Sequence, residues 1–320
     1  MAKKDQGADA RGRSAERPSE IPKLGWKDIL IRVKNEISEN NISMIAAGVA
    51  FYAFLAIFPA IAAFVSIYGL IVDPATLQEH MRSVEVVLPG DVAQLVNDEM
   101  ARISAQEQTL GWTLIIGIVL ALWSAATGMK AMFQAMNVAY DETEQRGFIR
   151  LNATALLMTL GAILFVIVCL GFIVGVPAVI STVPMGSVLA AALKYLRWPL
   201  LAIAGIFAVS VLYRYGPSRE KPQWKWLTWG ATTATVLWLI GSALFSFYVT
   251  NFAGYNKTYG SLGVVVALMM WLLLTVYSML VGAEINAEME HQTAKDTTAG
   301  EPQPMGRRGA HVADTLGHES

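Results

Sequence analysis

Six long apolar runs dominate the chain, near 44–72, 110–133, 151–179, 198–215, 226–249 and 262–283. Most reach the roughly 20 residues that an α-helix needs to cross the hydrocarbon core of a bilayer. Inside lipid each backbone N–H and C=O must be satisfied within the protein, so apolar runs of this length span as helices. Charged residues make up 15% of the 320 positions, against about 25% in an average soluble domain, and they gather between the runs. The expected fold is therefore all-α, a polytopic membrane protein with six transmembrane helices.

The third run is overlong, and Pro177 and Pro184 are expected to bend or end it. The fourth is short and follows the charged stretch "LKYLRW", so its outer end is expected to be tilted or irregular. Orientation follows from Lys and Arg in the short flanking segments. Of 24 such residues, only Arg82, Arg102, Lys194, Arg197 and Lys257 fall on one side, and the rest fall on the other. Both termini are thus expected in the cytoplasm.

The segments outside the runs divide the chain further. Residues 1–22 read as a disordered basic tail, without the apolar stretch and small-residue cleavage site of a secretory signal. Residues 23–290 form the membrane domain, and 291–320 read as a disordered cytoplasmic tail. Within 23–39, Trp26, Ile29 or Leu30, Val33 and Ile37 recur at helical spacing among Lys27, Arg32 and Lys34. Such a basic amphipathic helix suits an anionic membrane face, and a partner-binding helix is the competing reading. The segment 73–109 is acidic and carries two apolar stripes broken by "PGD", which predicts a periplasmic helical hairpin. A solvated acidic face accounts for its charge more simply than a metal site does.

A charge at the bilayer centre costs about 2.5–3.5 kcal/mol even on the milder insertion scale, and the spans are nearly free of them. Lys130, Arg214 and Glu284 all approach the inner boundary. They form a candidate anionic-ligand or ionic cluster with Asn286, against the simpler reading of Glu284 as the residue where a helix leaves the membrane. Pro59, mid-way along the first run, is a candidate helix break lining a cavity. Ala46, Ala50, Ala53 and Ala60 make a small-residue stripe, and Gly171 and Gly175 a GxxxG, both suited to close helix packing. Cys169 is the one cysteine, so no intrachain disulfide forms. The sequence has no HExxH, CxxC or P-loop pattern and no histidine within the runs, so no catalytic residue, metal or cofactor is expected.

Several stretches, taken in order, resemble the YihY/BrkB family of bacterial inner-membrane proteins. They are "NNISMIAAGVAFYAFLAIFPA", "NVAYDETEQR", "LYRYGP", "GATTATVLWLIGSALFSFY" and "YNKTYGSLGVVVALMMWL" with "GAEINAE". The resemblance covers about 25–290 and implies a six-helix inner-membrane protein. It also brings an old label, ribonuclease BN. Metal-dependent RNA hydrolysis needs clustered carboxylates or histidines near a basic surface, a pattern these residues do not make, so no enzyme and no nucleic-acid partner is expected.

Two functional readings follow. The first is transport or transbilayer handling of a lipid-like or amphipathic anionic molecule, linked to envelope integrity. It rests on the prolyl span, the basic inner rim and Arg214. The second is a non-catalytic scaffold working through an envelope protein partner. Expected partners are membrane lipids, an envelope protein and further copies of the chain.

Overall fold

The computed structural model describes residues 10–71, 112–177, 180, 186–251 and 261–319. The helices are α1 (Lys23–Glu39), α2 (Ile42–Ile71), α3 (Trp112–Ala139), α4 (Phe148–Leu170), α5 (Ser187–Tyr215), α6 (Trp224–Asn251), α7 (Ser261–Gln292) and the single turn α8 (His311–Asp314). Six of them, α2 to α7, are long and apolar enough to cross a membrane. The described residues form no strand, so the all-α, six-span reading stands. The expected hairpin over 73–109 and Pro184 lie outside the described residues.

Each span packs on its neighbours in sequence, from α2 on α3 round to α6 on α7, and α7 closes the ring by packing on α2. Small residues permit the closest approaches. Ala46 and Ala50 of the predicted stripe are buried, Ala46 in the core shared with Met136, Ala283 and Ala287. A methyl group on Gly230 of α6 would collide with the Gly282 carbonyl of α7, so these two backbones cross with no room for a side chain. The GxxxG behaves differently. Gly171–Gly175 forms one π-helical turn continuing α4, and a methyl group on either glycine would meet nothing.

Three expectations need correcting. α2 runs on through Pro59, so no break forms there; losing one hydrogen bond does not unwind a turn held between packed neighbours. The fourth span is not short. α5 begins at Ser187 and carries Lys194, Arg197 and Pro199 inside the helix. Its charges are tolerated because Lys194 lies over the Tyr195 ring, while Arg197 lies over Trp198 and donates to the Ile173 carbonyl at 3.1 Å.

The third correction concerns the tails. Residues 10–22 and 293–319, expected to be disordered, pack around the end of the ring where α7 finishes, and α7 itself takes up His291 and Gln292. Ala15, Ile21, Val312 and Ala313 are buried there. Polar composition misleads because these segments find backbone partners. Arg308 donates to the carbonyls of Ala294, Lys295, Gln303 and Ala313, and Thr293 Oγ1 to that of Ala15. α1 also packs on the ring, with Ile29 and Val33 against Trp226, Ile285 and Met289. Its apolar face meets its own bundle, and Leu24 and Leu30 are left exposed.

Candidate functional site

α7 leaves its apolar stretch as "AEINAEMEHQ", with Glu284, Asn286, Glu288, Glu290 and Gln292 at every second position. A two-residue step turns about 200° around a helix, so these side chains alternate between two nearly opposite sides. All five are buried. A helix end that carries polar residues on two sides and is shielded from water must be enclosed by hydrogen-bonding partners on both of them.

The first side holds Glu284, Glu288 and Gln292 and faces α1 and the terminal segments. Arg32 Nε pairs with Glu288 Oε2, while its Nη2 donates to Gln292 Oε1 at 2.8 Å and its Nη1 to the His318 carbonyl at 3.0 Å. The other Glu288 oxygen lies 3.2 Å from His291 Nδ1. Gln292 Nε2 donates to the Arg11 carbonyl at 2.7 Å. Among the described residues Glu284 accepts only from Asn40 Nδ2, at 3.4 Å, and the same amide donates to Glu36 at 3.2 Å. Burial, then the charges of Asp141, Glu288 and Glu39, pushes the Glu36 carboxyl above its ordinary range.

The second side holds Asn286 and Glu290 and faces α6, the end of α3 and the α5–α6 connection. Asn286 Oδ1 accepts from the Gly230 N–H at 2.9 Å, and its Nδ2 donates to the Leu227 carbonyl at 3.3 Å and the Tyr140 hydroxyl at 3.4 Å. Arg219 grips both oxygens of Glu290, at 2.7 and 3.2 Å, and lies over the Tyr140 ring at 5.0 Å. Thr297 Oγ1 donates to the same carboxylate at 2.6 Å. Both side chains of this pair are 0% exposed. Burial alone lowers the Arg219 proton affinity, but Glu290 beside it more than compensates, so the guanidinium stays charged.

The model of the family described as virulence factor BrkB matches residues 33–306. The chain belongs to that family. The ribonuclease-like protein YfkH of Bacillus subtilis is 32% identical over 76% of this chain and 88% of its own length. A UPF0761 membrane protein of Aggregatibacter aphrophilus is 24% identical over 82% and 92% of the two chains. No solved structure matches. Within this BrkB-family chain, every named partner of Asn286 and Glu290 lies inside the matched stretch, whereas Arg11, Arg32 and His318 lie outside it.

The expected ionic cluster does not form. Lys130 donates to Asn152 Oδ1 at 3.1 Å and lies over Trp123, between α3 and α4. Arg214 donates to the Pro222 carbonyl and lies over Trp224 at 4.8 Å. Glu284 and Asn286 do belong to the polar end, on opposite sides of α7. Arg32, Arg219, Glu288 and Glu290, which the sequence reading did not single out, carry the ion pairs instead. The legible signal was the alternation itself: polar residues at every second helical position cannot all face one way.

Proposed function

We propose that this integral membrane protein moves an amphipathic, lipid-like anion across the bacterial inner membrane, with its polar end as a closed gate on the cytoplasmic side. The distribution of Lys and Arg supports that orientation. The observation that carries the reading is the fully buried Arg219–Glu290 pair, which ties the α5–α6 connection to the end of α7. A buried ion pair is a poor way to gain stability, since desolvation cancels much of its attraction, and its best-attested use is to specify one arrangement of a two-state element. The closed ring of spans supplies such an element, because opening its polar end means parting α7 from the α5–α6 connection. We propose no catalytic step: Glu288 and Glu290 are engaged by arginines, and the ribonuclease-like name describes the Bacillus protein.

The test is reconstitution into liposomes with a fluorescent phosphatidylglycerol in both leaflets and an impermeant quencher outside. Movement above protein-free liposomes, changed by Arg219→Gln in correctly inserted protein, is the expected result. Parent and variant both equal to protein-free liposomes would overturn transport and leave the scaffold as the account.

A further inference from the structure

The cations of the polar end differ in their partners. Arg11, Arg32, Arg146 and Arg219 are paired with carboxylates. Arg214 and Lys221, either side of Arg219 in the chain, have no carboxylate partner among the described residues, and both sit on aromatic rings. The Arg214 guanidinium lies 4.8 Å from the Trp224 ring centre and 5.9 Å from that of Tyr215, and Lys221 Nζ lies 5.2 Å from the same tyrosine. Phe207, two turns back along α5, stacks on Trp224 at 6.1 Å and 11°. These rings are not core: Phe207 is 63% and Trp224 42% exposed. They form a basic, aromatic shelf at the α5–α6 junction.

Two further facts define what the shelf fits. Nη1 of Arg214 is taken by the Pro222 carbonyl, which holds the guanidinium plane in place. Nε and Nη2, on the other edge, take no acceptor among the described residues, and Nε is cut off from water. Nη2 is the donor left for a phosphate or carboxylate oxygen. Depth is set by α5 itself. Arg197, over Trp198, and Arg214 are 17 residues apart, or about 25 Å at 1.5 Å per residue, close to the roughly 30 Å hydrocarbon thickness. Leu200, Ile203 and Phe207 between them are exposed and apolar. Cation–aromatic units at the two ends of a lipid-exposed helix mark the two headgroup levels.

We propose that Arg214, Lys221, Tyr215 and Trp224 bind the headgroup phosphate of an anionic phospholipid. Arg214 donates to the phosphate through Nη2, Lys221 supplies a second charge, and Phe207 and Trp224 lie along the acyl chains. The site is separate from the Arg219–Glu290 gate and stands whether or not the protein moves lipid.

Native mass spectrometry of the full chain in neutral detergent, titrated with phosphatidylglycerol or phosphatidylcholine, tests the site. Thermal midpoints of each variant are followed alongside. The parent is expected to retain one phosphatidylglycerol in preference to phosphatidylcholine. Arg214→Gln should weaken that retention by about tenfold or more, and Lys221→Gln by about threefold, as charge-assisted contacts of this kind imply. Arg214→Gln also frees the Pro222 carbonyl and can disturb the turn. Lys221→Gln makes no such change, so undiminished phosphatidylglycerol retention in that variant at an unchanged midpoint overturns the proposal. Equal retention of the two lipids by the parent overturns it as well. Displacement of the lipid by millimolar inorganic phosphate would make this a free-phosphate site and overturn the assignment to lipid.

Discussion

The two sides of the α7 terminus solve one problem with different materials. On the side of Asn286 and Glu290, most partners come from the bundle's own connections: Gly230 and Leu227 of α6, Tyr140 after α3, and Arg219 between α5 and α6; Thr297 of the C-terminal segment adds one hydrogen bond to Glu290. On the side of Glu288 and Gln292, the chief partners are Arg32 of α1 and backbone carbonyls of the terminal segments. The first side lies within the stretch matched by the family and is completely shielded; the second borrows its closure from segments beyond it. The comparison separates a built-in lock from a clasp laid over it. Opening the clasp should leave the lock standing, and opening the lock should loosen both.

The largest expected effect comes from the lock. Arg219→Gln leaves Glu290 buried and unpaired, and should cost about 3–5 kcal/mol, read as a fall in the thermal or chemical denaturation midpoint in detergent. Gly230→Ala attacks the same side by a different route, driving a methyl into the Gly282 carbonyl and the Asn286 amide. It should cost about 1–3 kcal/mol, the range for overpacking. A loss below a few tenths of a kcal/mol for either would show that this side of α7 does not hold the end closed.

The clasp should respond less. Arg32→Gln removes the guanidinium from Glu288, which keeps its contact with His291, and should cost about 1.5–3 kcal/mol. Arg308→Gln releases four carbonyls of the C-terminal segment. It should raise hydrogen exchange across 293–319 while exchange at 227–235 stays slow. Faster exchange in both regions would merge clasp and lock into one unit.

The smallest effects concern pH at the rim. Burial raises the Glu144 carboxyl, but hydrogen bonds and charge from Arg146 outweigh it and hold the group at about 2. The stability it contributes is therefore present above the ordinary Glu range near 4.3 and lost as pH falls toward 2. Glu36 has the opposite sign. Its raised carboxyl favours the fold while protonated, and that contribution fades as pH rises through the folded value. Glu36→Gln should flatten a midpoint-against-pH curve above the ordinary Glu range, and Arg146→Gln below it. Solvent screening keeps both effects small.

How much of this was written plainly in the chain depends on the kind of signal. The six spans and α1 follow from periodicity and run length, which report directly on burial in lipid or against a face. α5 starts earlier than the apolar run suggests, because Lys194 and Arg197 look like a boundary in sequence, whereas a long side chain can lie back over a neighbouring ring. The site was harder still. Arg214 in the last turn of α5 and Arg219 in the connection after it stand five residues apart, yet one lies over Trp224 and the other is sealed against Glu290. Which one turns inward is set by where α7 places its carboxylates, a tertiary fact with no local signature. Glu284 and Arg214, expected to act together, have separate partners, so their substitutions should be additive.

A double-mutant cycle of Arg219→Gln and Glu290→Gln, read as unfolding free energy in detergent, tests the lock most directly. The account predicts a large loss for each single change and a double variant well short of their sum, because removing both charges leaves neither one buried alone. Additive losses would mean that the two residues do not act as a pair, and the polar end would have no lock.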